Sequence, residues 1–169
     1  MLLRAAEPED ALGVARVHVR AWQAGYRHLL PGEYLARLRP EERALRYDFV
    51  NQDPQRPKTM VAVDDGIICG FATTSPARDD DATHCGELCA LYVDPDWWSR
   101  GVGAALIGAA RRKLVELTYQ DAILWLLRGN TRAERFYRKD GWLPDGGVRT
   151  DRIWDITVDE IRYRRRLQP

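Results

Sequence analysis

The amino-acid sequence predicts a mixed α/β fold, and three observations carry that prediction. A strand followed by a helix occurs twice in the second half, an Asp65-Gly66 pair marks a hairpin ahead of it, and Ala122 to Leu127 is apolar throughout, as befits a strand covered on both faces. A chain of 169 residues suits one domain spanning 1–169, since compact domains commonly run to roughly 100–200 residues.

Leu2 to Ala5 reads as a short first strand, and Pro8, Glu9 and Asp10 supply the proline and acidic residues of a helix start. Leu12, Ala15, Val19 and Trp22 recur at helical spacing. Pro31 and Pro40 divide the next stretch into two short helices, one around Glu33 to Leu38 and one around Glu41 to Val50. Thr59 to Asp64 and Ile67 to Ser75 flank Asp65-Gly66, whose residues accept the positive φ of a tight turn, so both predict antiparallel strands. Asp79, Asp80 and Asp81 repel one another, and Pro76 to His84 is expected to be a mobile loop, either plainly solvated or a place for a cationic substrate. Glu87 to Val93 predicts a strand stopped by Asp94-Pro95. Gly101 to Leu117 predicts a helix with Val102, Leu106, Ala109, Ala110, Leu114 and Leu117 on one face. Ala122 to Leu127 and Asn130 to Lys139 repeat the strand and the helix. Ile153 to Val158 and Ile161 to Leu167 alternate as two further strands, with Gly146-Gly147 as a turn.

A hydrophobic fraction of 45% and a charged fraction of 30% support a buried core with a polar surface and exclude disorder for the bulk of the chain. The net charge of +1 argues against nucleic acid as a partner, which takes a basic field to displace counterions. Arg162, Arg164, Arg165 and Arg166 alternate with Ile161, Tyr163 and Leu167 as in a half-buried edge strand. No apolar run approaches the roughly 18 residues of a membrane span, and Met1 to Asp10 is charged, so a cytoplasmic protein without membrane contact is expected. The cysteines, Cys69, Cys85 and Cys89, are odd in number and predict no disulfide framework. His84, Cys85 and Cys89 lack a fourth ligand at any recognisable spacing, so no metal is expected.

The stretch Trp97-Trp98-Ser99-Arg100-Gly101-Val102-Gly103-Ala104 joins a strand to a helix. Glycine inside a helix costs about 0.5–1 kcal/mol relative to alanine, so a pair in the first turn calls for a reason. A bound anion is one, because backbone without Cβ approaches a phosphate closely and free N–H groups at a helix start hold negative charge. A plain helix start is the other. A nucleoside-triphosphate loop is excluded, since Ala104-Ala105 follows Gly103 where Lys-Ser or Lys-Thr would stand. A dinucleotide fingerprint fails as well: Leu106 stands where a third small residue belongs, and the next strand ends at Leu126-Leu127-Arg128 without an acid.

Leu91-Tyr92-Val93-Asp94-Pro95, Arg100-Gly101-Val102-Gly103-Ala104-Ala105-Leu106, Leu124-Trp125, Asn130-Thr131-Arg132-Ala133-Glu134-Arg135-Phe136-Tyr137 and Gly141-Trp142 follow one another in a spacing that resembles the GNAT superfamily of acetyl-CoA-dependent N-acetyltransferases. Ala21-Trp22-Gln23-Ala24-Gly25-Tyr26 with Leu29-Leu30-Pro31 resembles the acceptor-side region of many bacterial members. The resemblance implies a GNAT-like fold, a central twisted mixed sheet of six or seven strands with helices on both faces. It implies acetyl-CoA as acyl donor, with the pyrophosphate on Ser99, Arg100, Gly101, Val102, Gly103 and Ala104. The pantetheine arm would pair with the backbone of Leu91 and Val93, and Asn130, Ala133 and Phe136 would complete the site, Asn130 by a hydrogen bond and Phe136 by packing. The family's usual Gln or Arg three residues before Gly101 is Trp98 here. A small-molecule or peptide amine is the implied acceptor, and a homodimer is a family-based expectation.

Acetyl transfer to an amine requires a neutral nucleophile, stabilisation of the carbonyl oxygen and a proton for the departing thiolate. Tyr137 is the candidate acid, against the alternative of an aromatic pair Phe136-Tyr137 on an apolar helix face. Glu87, an acid inside an apolar strand, is the candidate base, against a structural ion pair. Plain alternation puts Glu87 on the face of Cys89, Leu91 and Val93; a bulge would reverse that. The Val93 N–H is the candidate oxyanion donor. Trp22 and Tyr26, four apart on one helix face, are either an acceptor-pocket wall or core aromatics. His18 and His28 read as structural. No cysteine is needed as an acyl carrier, so direct transfer in a ternary complex is expected, with a non-catalytic acyl-CoA-binding module as the rival reading.

Overall fold

Asp65 and Gly66 take φ of 47° and 75°, and their turn pairs β2 (Lys58–Asp64) with β3 (Ile67–Pro76) antiparallel, as the Asp-Gly pair predicts. The computed structural model describes residues 1–51 and 53–167. Its strands, with β1 (Leu2–Ala5), β4 (Gly86–Val93), β5 (Asp121–Leu127), β6 (Leu143–Ile153) and β7 (Ile156–Arg166), form one sheet of seven in the order β1-β2-β3-β4-β5-β7-β6. Pairing is antiparallel throughout except between β4 and β5. The helices are α1 (Ala11–Gly25), α2 (Gly32–Arg37), α3 (Pro40–Ala44), α4 (Val102–Glu116) and α5 (Thr131–Lys139).

Strand alternation sends Val61 and Phe71 to one face, where Val14 and Val17 of α1 cover them, and Ala62 and Ala72 to the other, where Val102, Leu106 and Leu114 of α4 cover them. The mixed sheet with helices on both faces is thus the expected architecture, and β5 is buried from Ala122 to Leu124 as its apolar run predicts.

Several local expectations are corrected. The helix expected over Glu41 to Val50 stops at Ala44; Tyr47 and Phe49 instead turn inward to pack with Val17 and Phe71. On α4 the covered face uses Ile107, while Leu117 lies beyond the last turn and is 41% exposed. The C-terminal hairpin turns at Trp154-Asp155, with φ of 49° and 62°, and Gly146-Gly147 falls inside β6, where the register shifts between Pro144 and Val148. There a Cβ on Gly147 would lie 2.7 Å from Arg162 Nε, so that glycine admits a side chain from the neighbouring strand.

The basic C-terminal strand is not an edge: β7 lies between β5 and β6. Arg162, buried on it, binds Asp81 through both terminal nitrogens at 2.7 Å and Asp145 at 2.8 Å, with Asp79 at 3.7 Å. The acidic segment expected to be mobile is therefore held to the sheet, since the repulsion among its aspartates is offset by a buried guanidinium. Cys85 lies beneath it, buried with Ala77, Ala82 and Ile123.

Candidate active site

Strands β4 and β5 pair only at Gly86–Ala122 and Glu87–Ile123 and then separate, which opens the middle of the sheet. The Asp94 N–H donates to the Cys69 carbonyl on the β3 side at 2.9 Å, so alternation turns the backbone polar groups of Val93 and Leu91 the other way, into the opening. A cleft of about 1010 Å³ runs through this gap, lined from one face by Trp22, Tyr26 and Tyr92 and from the other by Trp98, Gly103 and Phe136.

The glycine turn closes one end of the cleft. Ser99 and Gly101 have φ of 63° and 83°, and Gly101 is the N-cap of α4, a left-handed position that favours glycine. A Cβ on Gly101 would meet nothing within 4 Å, so space as well as conformation is open there. The first helical bond runs from Ala105 N–H to Gly101 O, which leaves the amides of Val102, Gly103 and Ala104 ahead of it at the positive end of α4. Gly103 has another cause: a Cβ there would stand 3.2 Å from the Phe136 ring, so its smallness lets α5 close against α4.

Trp98, the departure at the head of the turn, ties the turn to the sheet. Its indole N–H donates to the Val93 carbonyl at 2.8 Å, and the Arg132 guanidinium lies 3.3 Å from its ring centroid. The Val93 carbonyl is thereby occupied, and the N–H is what Val93 can offer a ligand. Asn130 caps α5, its Oδ1 accepting from the Ala133 N–H at 3.1 Å, which leaves its side-chain N–H₂ to act as donor toward the cleft. Arg132 also lines the cleft; it stands inside the Asn130-to-Tyr137 stretch but no sequence rule distinguished it from a surface arginine.

Tyr137 lines the cleft from α5, edge-on to Phe136 at 5.2 Å and to Trp142 at 6.3 Å, and burial pushes its phenol well above the usual tyrosine range. Tyr92, which stands in the Leu91-to-Pro95 stretch with no role assigned from the sequence, bridges toward the acceptor side: its hydroxyl is 3.4 Å from that of Tyr26 and it stacks on His18 at 4.4 Å. Trp22, 3% exposed, packs on Tyr26 at 5.0 Å, so both candidate aromatics are at once core members and cleft lining. His18 is buried, hydrogen-bonded through Nδ1 to Tyr47 Oη at 2.8 Å, and held neutral by burial.

Glu87 corrects the parity expected from plain alternation. Thr73 pairs with Ala90 and Thr74 with Leu88, so Cys89 is an extra residue in β4. This bulge leaves Leu88, Leu91 and Val93 on the α4 face and moves Glu87 to the α1 face with Ala90 and Tyr92. Burial there raises the Glu87 carboxyl to about 6, against the pull of Arg149 in the opposite direction. Glu160, a second buried acid in the cleft, accepts from Arg149 Nε at 2.7 Å; it sits among charged residues of β7 and nothing in its spacing marked it out. His28 stays exposed beside Arg27, and among the described residues no group of three His, Cys, Asp or Glu is placed to hold a metal. The cleft therefore combines amides for an anion, an open strand edge, a protonated phenol and a carboxylate able to take a proton near neutrality.

The family model described as acetyltransferase (GNAT) family matches residues 19–142. An uncharacterized N-acetyltransferase of Archaeoglobus fulgidus is 31% identical over 150 residues, covering 87% of this chain and 97% of its own. The uncharacterized N-acetyltransferase YuaI of Bacillus subtilis is 29% identical over 135 residues, 76% of this chain and 72% of its own. Among solved structures, the PaiA N-acetyltransferase of Thermoplasma acidophilum in complex with coenzyme A superposes with a TM-score of 0.72 at 18% identity, covering 98% of each chain.

Proposed function

The chain belongs to the acetyltransferase (GNAT) family, and from that premise we propose that residues 1–169 act as one cytoplasmic N-acetyltransferase domain, moving an acetyl group from acetyl-CoA to a primary amine of a small molecule or peptide by direct transfer in a ternary complex. The observation that carries this reading is the separation of β4 from β5 with the start of α4 at its mouth: an unpaired strand edge and a ring of free amides meet in one cleft.

The residues present fit coenzyme A. The amides of Val102, Gly103 and Ala104 and the open space over Gly101 suit a diphosphate, with Arg100 and Arg132 adding positive charge. Leu91, Val93, Asn130, Ala133 and Phe136 line the route an extended arm would take between the parted strands, where the free N–H and C=O groups of a strand edge pair with extended chains. Acetyl-CoA supplies the acyl group as a thioester. Glu87, with its carboxyl near 6, takes the proton from the acceptor ammonium, directly or through water, and so exposes the amine lone pair. The Val93 N–H, turned into the opening, holds the oxygen that becomes negative. Tyr137 gives its proton to the departing sulfur; the burial that makes the phenol a weaker acid makes a thiolate a stronger base in the same surroundings. Trp22 and Tyr26 form the acceptor wall.

A turnover screen with acetyl-CoA and a panel of amines, read by mass of the acetylated product, tests the proposal, with calorimetric titration of coenzyme A alongside. Acetylated product from at least one amine, above the blank without enzyme, is the expected result. Tight acyl-CoA binding without product from any amine would leave a binding module, and no heat with coenzyme A would remove the reading altogether.

A further inference from the structure

Arg43 is the one charged group of α3 that turns toward the cleft. Its guanidinium lies 4.6 Å from the Trp154 ring centroid and 5.3 Å from that of Tyr47, whose hydroxyl is its neutral hydrogen-bond partner, and its Nε is buried with no hydrogen-bond partner. Other arginines around the site are held differently: Arg149 is bound by Glu160, Arg20 by Asp94 and Arg162 by Asp145. Among the described residues no carboxylate ion-pairs with Arg43. A half-buried guanidinium with an unsatisfied donor costs free energy unless an acceptor arrives from outside. Two rings beside it restrict its orientation, and a planar guanidinium suits the two-point hydrogen bonding of a carboxylate.

The position is connected to the reacting end. Trp154 is 4.5 Å from the His18 ring, His18 is 4.4 Å from Tyr92, and Tyr92 meets Tyr26. This aromatic floor runs on the α1 face, the face that also carries Glu87. The charge of Arg43 is felt along it, adding to the burial that keeps His18 neutral. Arg46, Arg56 and Arg78 also line the cleft, with Asp48 as the acid next to Arg46, so with Arg43 the balance of these five charges is positive and opposes a second cationic group on the acceptor.

We propose that Arg43 receives a carboxylate of the acceptor, and hence that the acceptor is an amine that also carries a carboxylate, an amino-acid-like molecule, and not a polyamine. The proposal rests on the acetyltransferase reading for its account of the amine, and on the geometry of α3 and Trp154 for its account of the carboxylate.

Acetylation rates are to be compared for matched pairs, α- and ω-amino acids against the same amines lacking the carboxylate, together with spermidine, using the full chain and Arg43→Met and Arg43→Lys. The wild type is expected to favour the carboxylated member in kcat/KM. Arg43→Met should shrink that preference by about tenfold to a hundredfold, mostly through KM, as loss of a charged hydrogen-bonded pair does. Arg43→Lys should restore part of it, and an unchanged coenzyme A affinity confirms that each variant is folded. Preference for spermidine or the decarboxylated amines, or a selectivity unaltered in Arg43→Met, overturns the proposal. Should acetyl-CoA bind while no amine turns over, the acetyltransferase reading fails separately. The carboxylate site is then read from thermal stabilisation by N-acetyl amino acids against their amides: stabilisation by the acids that vanishes in Arg43→Met upholds it, and equal or absent stabilisation refutes it.

Discussion

Burying a carboxylate without a full set of partners raises its pKa, and Glu87 stands at about 6 where an exposed glutamate stands at 4.5. The unfolded chain gives up this proton at the lower value and the folded chain at the higher, so between them the native state holds more proton and its stability falls as pH rises through that window. Glu87→Gln removes the cost. It should therefore raise stability by about 1–2 kcal/mol above pH 6, with no gain below pH 4.5, in denaturant titrations at several pH values. The same variant should lower kcat by about a hundredfold and abolish the acid limb near pH 6. A structural ion pair would give the opposite stability change. Tyr137→Phe is the companion test: kcat should fall about tenfold to a thousandfold, with coenzyme A affinity by calorimetry nearly unchanged. Identical rates for the two proteins on the true acceptor would end the assignment of the phenol as acid. Both residues are candidates that the sequence itself offers, one as an acid in an apolar strand and one from the resemblance. Arg43 and Glu160 carried no signal, and Tyr92 and Arg132 stood in the quoted stretches without a role, because such side chains acquire meaning only from what other segments place beside them.

The turn from Trp97 to Gly103 is an element defined by two left-handed residues and one indole. Gly101→Ala must hold φ near 83° with a Cβ, which costs about 1–2 kcal/mol. Chemical denaturation should register that loss, and calorimetry a weaker association with coenzyme A, while the space around Gly101 remains unobstructed. Full retention of both would mean that the turn neither needs the left-handed conformation nor presents its amides to a phosphate. Trp98 explains how this chain manages without a polar side chain at the head of the turn: one indole fastens the turn to Val93 and supports Arg132. Strand β4 shows the limit of local reading. Its existence and end follow from Glu87 to Asp94-Pro95, but the bulge at Cys89 depends on the pairing with β3, a segment far enough away in sequence that no pattern within β4 reveals it.

Across the whole molecule, Arg162 joins β7, β6 and the acidic segment after β3. Removing one member of a buried charge cluster leaves the others uncompensated, so Arg162→Met should destabilise the protein by about 2–4 kcal/mol, somewhat below the loss for a fully desolvated pair because Asp81 remains exposed. Hydrogen exchange should accelerate first in residues 77–85, and protection equal to the wild type would show that the segment is ordered by other contacts. Arg162 also holds the Asp81 carboxyl down at about 2, against 3.8 for a free aspartate. A depressed carboxyl contributes stability above the unfolded value and loses it as pH falls toward the folded one, so this clamp weakens only in acid between about pH 4 and 2. Cation and anions are more than sixty residues apart in part, and their charges looked like a solvated loop and a basic edge until the sheet brought them together.

The sequence by itself determined the α/β class, the Asp65-Gly66 hairpin, the apolar β5 and the glycine turn ahead of α4, because each rests on periodicity or on φ angles that neighbouring residues dictate. Only the tertiary structure decided that β4 and β5 part after Glu87, that Glu87 faces α1, that β7 lies inside the sheet and that Arg43 lies against Trp154. These features are set by strand order, register and long-range charge pairing, whose free energies arise between segments distant in the chain and leave no imprint on the spacing within any one of them.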